Sequence, residues 1–236
     1  MLGAGGRFCG NFGAMSLSPI EIETAPNPTA TVIVMHGLGA DGNDFVPIAN
    51  EMDLSSVGPV RFVFPNAPVI PVTLNGGYRM PAWYDILGLG TDLARPEDEA
   101  GLRRSQAAIE ALIAHEKARG IPASRIVVAG FSQGCAMSFM VGLRHAETLA
   151  GIVGLSGYLP LAEATAAERH AANQHTPIFQ AHGLRDAMVP IARGMQSRDA
   201  LQALGYEIEW HEYPMEHSVC AEEIADLNRF LLRVLG

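Results

Sequence analysis

Cationic side chains are scarce in this chain: Lys and Arg number 16 against 25 Asp and Glu, for a net charge of −9 over 236 residues. No basic run occurs, so the electrostatic footprint of a nucleic-acid or anionic-lipid binder is missing. A phosphate-cradling G-x-x-x-x-G-K-[ST] loop is missing too, which removes one nucleotide-hydrolase signature. Cysteine occurs three times, at Cys9, Cys135 and Cys220. That odd, widely spaced set forms neither a disulfide framework nor a metal-ligand pattern, and it fits a reducing, cytoplasmic address. No apolar run approaches the roughly 18 residues that a membrane-spanning helix requires. The N-terminal "MLGAGGRFCGNFGA" has no apolar secretory stretch. Residues 1–14 are expected to be a disordered extension, with a single domain over 15–236.

What is present is an alternation of two kinds of segment. Short Val- and Ile-rich runs, "TVIVMH" (31–36), "RFVFPN" (61–66), "RIVVAG" (125–130), "GIVGLS" (151–156) and "PIFQAHG" (177–183), have the continuous hydrophobicity of strands covered on both faces. "IEIET" (20–24) and "YEIEWHEY" (206–213) alternate instead, as edge strands do. Between them lie helical patterns at 97–120, 132–145, 191–205 and 221–235. In the first, Leu102, Ala108, Ile109, Leu112 and Ile113 share a face, and Gly120 and Pro122 stop it. Strand–helix alternation predicts an α/β fold: a mostly parallel central sheet with helices on both faces. Residues 66–96, with no convincing period but several large apolar side chains, are expected to form a packed excursion that walls a site.

The loops after strands of a parallel sheet share one edge, where ligands bind. Four of them hold polar chemistry: "HGLG" (36–39), "GFSQG" (130–134), "LRD" ending in Asp186, and "PMEH" ending in His217. A serine between two glycines, directly after a buried strand and before a helix, fits a nucleophile elbow. The turn there is strained, and the positions two before and two after the serine must be small. Ser132 is then the nucleophile, His217 its base and Asp186 the acid that orients the imidazole, in the chain order of the α/β-hydrolase arrangement. The backbone N–H groups of Gln133 and Leu38 are the expected oxyanion donors. No metal or other cofactor is required. His36 and His182 are rival bases but fall in the wrong order. Asp199 and Asp226 lie within helical patterns, and Asp41 and Asp44 read as loop or cap residues. Leu74, Trp83, Leu87, Met188 and Val189 are the candidate pocket residues, with Trp83 open to either of two roles, substrate wall or core.

The motifs "HGLGADGNDF", "PAWYD" (81–85), "GFSQG", "LSGYLP" (155–160), "HGLRDAMVP" (182–190) and "YPMEHSVCAEEI" (213–224) together resemble the bacterial carboxylesterase / acyl-protein thioesterase (phospholipase/carboxylesterase) family. That family is a small branch of the α/β-hydrolases with no large cap domain. The resemblance spans about Thr31 to Leu235. It implies a serine hydrolase of carboxylic esters with apolar acyl groups, with Ser132, Asp186 and His217 as triad and Leu38 and Gln133 as oxyanion donors. The alternatives it leaves are an acyl-protein thioesterase or lysophospholipase, and a non-catalytic hydrolase-fold binding protein. It implies a small ester or thioester, an acylated protein or a lysophospholipid as partner, no nucleic acid, no stable membrane insertion, and homodimers as an assembly state. Two positions depart from the family pattern. Cys135 stands where a second glycine is common, and is expected to trim the acyl pocket or tighten helix–sheet packing. Glu216 stands where glycine precedes the histidine, and is expected to stabilise the imidazolium of His217.

Overall fold

The computed structural model describes residues 17–88 and 96–236. In chain order its strands are β1 (Ile20–Glu23), β2 (Ala30–Met35), β3 (Val60–Phe64), β4 (Val69–Val72), β5 (Tyr78–Pro81), β6 (Ile126–Phe131), β7 (Gly151–Leu155), β8 (Ile178–Gly183) and β9 (Ile208–Tyr213). The α-helices are α1 (Val46–Glu51), α2 (Glu99–Ala118), α3 (Gln133–Gly142), α4 (Ala162–Glu168), α5 (Ile191–Ala203) and α6 (Ala221–Leu235). Seven strands form one sheet in the order β1-β3-β2-β6-β7-β8-β9, parallel except for the antiparallel edge strand β1. The extension expected over 1–14 lies outside the described residues.

The continuous hydrophobicity of the central strands follows from two buried faces. In β2 and β6, Ile33, Met35, Ile126 and Val128 enter one core with α2 and α3, whereas Ala30, Val32, Val127 and Ala129 enter the other with α1 and α6. Helix α2 starts where the Asp98 side chain accepts the Gly101 N–H at 2.9 Å, and it gives way to Gly120 at φ +97°. Every residue of α3 is buried, so it runs inside the molecule beneath the site. Among the described residues no helix is long and apolar enough to cross a membrane.

The excursion at 66–96 holds more regular structure than its sequence suggests. β4 and β5 pair as an antiparallel hairpin apart from the main sheet, turned by Gly76 and Gly77, both at positive φ. Pro71 and Pro81 stand within its strands, and Val69 and Tyr78 are exposed, so neither a clean alternation nor a buried run marks it. Residues 89–95 of this stretch lie outside the described residues.

Candidate active site

β6 ends directly at the elbow. Ser132 has φ +56° and ψ −115°, a conformation that costs a non-glycine residue about 1–3 kcal/mol. The flanking glycines are obligatory on steric grounds. A Cβ on Gly130 would lie 2.1 Å from the Gly134 carbonyl oxygen, and one on Gly134 would lie 2.0 Å from that of Met35. Gly37 packs so closely that its Cβ would meet the Ser132 Cβ at 3.3 Å, which brings the 36–39 loop against the serine.

The loop after β9 brings His217 over this turn. Its Nε2 lies 3.0 Å from Ser132 Oγ, and its Nδ1 lies 2.6 Å from Asp186 Oδ2. The ring rests against Phe131, centroid to centroid 4.7 Å. Asp186 is fixed from its other side, where Oδ1 accepts the Met188 N–H at 2.9 Å and the Val189 N–H at 2.8 Å. Burial would raise this carboxyl. Hydrogen bonds from His182, His217 and the Val189 N–H outweigh burial and hold it well below the usual carboxylate range. It is therefore an anion at any pH near neutral.

None of the rival residues takes the place of His217 or Asp186 beside Ser132, and His182 instead lies behind Asp186, its Nε2 3.5 Å from Oδ2. His36 Nδ1 donates to the Gly37 carbonyl at 2.7 Å, and its Nε2 accepts the Ala67 N–H at 3.0 Å. His182 Nε2 donates to the Val189 carbonyl at 2.7 Å. Asp226 accepts the Tyr213 hydroxyl, Asp199 pairs with Arg198, and Asp41 caps its own turn through the Asn43 N–H. Gln133 opens α3, where first-turn N–H groups lack intrahelical partners. The Leu38 N–H has no acceptor among the described residues.

A crevice of about 400 Å³ opens beside Ser132 and His217. Leu74, Met188 and Val189 line it, together with Leu38, Met80, Tyr84, Ile86, Phe131, Tyr158 and Arg193. Two pocket expectations need correction. Trp83 is 1% exposed and bonded beneath the 36–39 loop, so it belongs to the core, and Leu87, 46% exposed, is not among the residues that line the crevice. Their neighbours Tyr84 and Ile86 take the lining positions. In an irregular segment no period tells one residue's direction from the next. Phe131 could have been found, since it immediately precedes the elbow serine. Arg193 carries no apolar signal at all.

Cys135 does not line the crevice. Its side chain fills a notch left by two glycines: a Cβ on Gly157 would lie 2.4 Å from the Cys135 Cβ, and one on Gly154 would lie 2.8 Å from its Sγ. Burial pushes the thiol far up, against weaker opposition from the Gly157 and Tyr158 N–H groups, so it is an inert packing group that tightens α3 on the sheet. The Glu216 side chain is exposed and bonds to no described residue, His217 included. Glu21, His115 and Glu116 bring possible metal ligands together, but Glu116 is committed to Arg61 and Arg119 at 2.7 and 2.9 Å. An apolar void of about 30 Å³ on the α1/α6 face of the sheet is too small for a substrate.

A sheet of this order, with its polar loops gathered at one edge around an open crevice, is that of an α/β-hydrolase. The chain belongs to the Phospholipase/Carboxylesterase family, whose model matches residues 19–235. Acyl-protein thioesterase 1 of Yarrowia lipolytica is 42% identical over 216 residues, covering 90% of this chain and 95% of that protein. The protein of the same name from Mycosarcoma maydis is 43% identical over 230 residues, covering 92% and 95%. Among solved structures, Arabidopsis thaliana SOBER1 superposes with a TM-score of 0.83 at 29% identity, over 88% of this chain and 99% of that one. Zea mays acyl-protein thioesterase 2 superposes with 0.80 at 29%, over 92% and 99%. These relatives are fungal and plant proteins, so the likeness extends beyond the bacterial branch named from the sequence.

Proposed function

We propose that this protein hydrolyses carboxylic esters and thioesters of apolar acyl groups through an acyl-enzyme on Ser132. The observation that carries the reading is the continuous hydrogen-bonded path from Ser132 Oγ through His217 to Asp186, opening onto an apolar-walled crevice. Ser132 Oγ attacks the acyl carbonyl carbon as His217 Nε2 takes its proton, and the anionic Asp186 stabilises the resulting imidazolium. The tetrahedral oxyanion is held by the Leu38 and Gln133 N–H groups, each worth about 2.7–4 kcal/mol of barrier lowering. Collapse breaks the bond to the leaving oxygen or sulfur, which departs with the proton from His217. Water then attacks the acyl-serine, gives a proton to His217 and releases the carboxylic acid, restoring Ser132.

The thioester form of this reading has a specific support: the fungal relatives bear the name acyl-protein thioesterase 1. The open crevice leaves space for a leaving group as large as a protein cysteine. The two described cysteines are free, which fits the reducing cytoplasm where such a protein would work. Purified protein should form a fluorophosphonate adduct at Ser132, and Ser132→Ala should form none. Rates along esters and thioesters from acetyl to palmitoyl then set the acyl preference, and a peak at acetyl would exclude the long-chain thioesterase form. An unlabelled Ser132 with intact ligand binding would instead mark a non-catalytic member of the fold.

A further inference from the structure

Trp83 is tied into the site through both its side chain and its backbone, although it does not line the crevice. Its indole Nε1–H donates to the His36 carbonyl at 2.8 Å. Its backbone N–H donates to the Gln133 side-chain oxygen at 3.0 Å, and the Gln133 side-chain NH2 donates to the Tyr84 carbonyl at 2.8 Å. Its carbonyl accepts the Ser105 hydroxyl, which anchors the segment to α2. The indole also lies against the His36 ring, centroids 5.2 Å apart. All of these groups are buried, where a lost hydrogen bond is not replaced by water.

His36 passes the constraint onward. Because Nε2 accepts the Ala67 N–H, the ring proton sits on Nδ1 and is donated to the Gly37 carbonyl. The carbonyl and the N–H of one trans peptide point in opposite directions, so drawing the Gly37 carbonyl back to His36 turns the Leu38 N–H away from it. The same tryptophan thus bonds to residue 36, which sets the Leu38 N–H, and to residue 133, whose own N–H is the second donor.

We propose that Trp83 is a positioning residue, a buried brace that holds the two oxyanion donors of the Leu38 and Gln133 backbone in one rigid frame. This rests on the esterase reading above, and it assigns to "PAWYD" a task in transition-state binding rather than in substrate contact. The step served is the rise of negative charge on the acyl oxygen. Misplacing a donor by about 1 Å can cost on the order of 100-fold in rate.

The test uses Trp83→Phe, which keeps an aromatic ring and removes the N–H, beside His36→Gln, which keeps an acceptor near the Nε2 position and removes the Nδ1 donor. Rates are normalised to the fluorophosphonate-titrated sites, so that unfolded protein does not count. Both variants should lower kcat about tenfold with KM changed less than about twofold. The decisive readout is the ratio of rates on an ester and its thionoester, whose sulfur is a poor hydrogen-bond acceptor. Wild type should prefer the oxygen substrate strongly, and the variants should lose most of that preference. A ratio unchanged in whichever variant titrates, with or without a uniform fall in rate, would overturn the brace and leave Trp83 as ordinary core. Ser132→Ala separates the two layers: an active Ser132→Ala protein refutes the esterase reading itself, whereas an inactive one with an unchanged ratio in the variants refutes the brace alone.

Discussion

Replacing Gly134 by alanine tests the elbow at the level of single atoms. The added Cβ would stand 2.0 Å from the Met35 carbonyl oxygen, 2.6 Å from its carbon and 2.9 Å from the His36 carbonyl oxygen. Real Cβ atoms essentially never approach closer than 3.0 Å, so about 1 Å of separation must open between α3 and β2. β2 cannot yield, because it is bonded to β3 on one side and to β6 on the other. The displacement must fall on the start of α3, which bears the Gln133 N–H and follows Ser132. Overpacking of this kind costs about 1–3 kcal/mol. At about 2–4 °C per kcal/mol for a chain of this size, Tm should fall by about 2–12 °C. The shift of the proposed donor and nucleophile should cost on the order of 100-fold in kcat/KM. Gly120→Ala is the control. That glycine has φ +97° with open space around it, so alanine should cost about 1 kcal/mol of stability and leave kcat alone. Melting curves and ester kinetics on both variants decide the matter. A Gly134→Ala protein with wild-type stability and rate would show that the glycine is not there to relieve crowding.

Further expectations concern charge and protonation. Ser132→Ala and His217→Ala should each nearly abolish ester turnover with melting curves intact, and Asp186→Asn should lose about 10⁴-fold by favouring the wrong tautomer; the losses should not add in double variants. Glu223 is buried, neither of its carboxyl oxygens has a hydrogen-bond partner of normal geometry among the described residues, and burial pushes it up to about 8, offset only weakly by the nearby Cys220 N–H. Its folded-state value thus lies above the ordinary 4.5, so its contribution to stability is complete below pH about 4.5 and lost as pH rises through about 8. Urea titrations of Glu223→Gln should show less alkaline loss than wild type between about pH 5 and 9, and parallel curves would refute this. Arg61 and Glu116 form a buried pair at 2.7 Å, with Thr31 donating to the same carboxylate at 2.6 Å. Because Arg61 keeps Glu23 at 2.9 Å, Glu116→Leu should cost about 1–3 kcal/mol by chemical denaturation, less than the loss for a buried cation left wholly unpaired, and an unchanged denaturation midpoint would refute the pairing's role.

How legible each part was in the sequence depends on how local its cause is. Strands β2, β6 and β7 could be read because covering both faces leaves a nearly unbroken apolar run, and Gly130 and Gly134 because the crowding they relieve arises within a few residues of Ser132 or on the adjacent strand. The Ser–Asp–His set followed from a rule of topology that gathers loops at one edge, so its members could be chosen before any distance was known. The hairpin β4–β5 and the short helices α1 and α4 were missed. The helices span six and seven residues with one buried position each, too little for a period to emerge. The exchange of Trp83 for Tyr84 was out of reach for another reason: direction there is set by bonds to His36 and Gln133, far away in the chain.

The three members of the proposed triad are not anchored alike. Ser132 follows β6, which has a bonded neighbour on either side, whereas His217 follows β9, which among the described residues is bonded to β8 alone and closes the sheet at its margin. On warming, the margin frays before the centre does, and the imidazole departs with it while the nucleophile's turn stays folded. Loss of function should therefore precede global melting and reverse on cooling, with backbone amides of 208–213 exchanging their hydrogens sooner than those of 126–131.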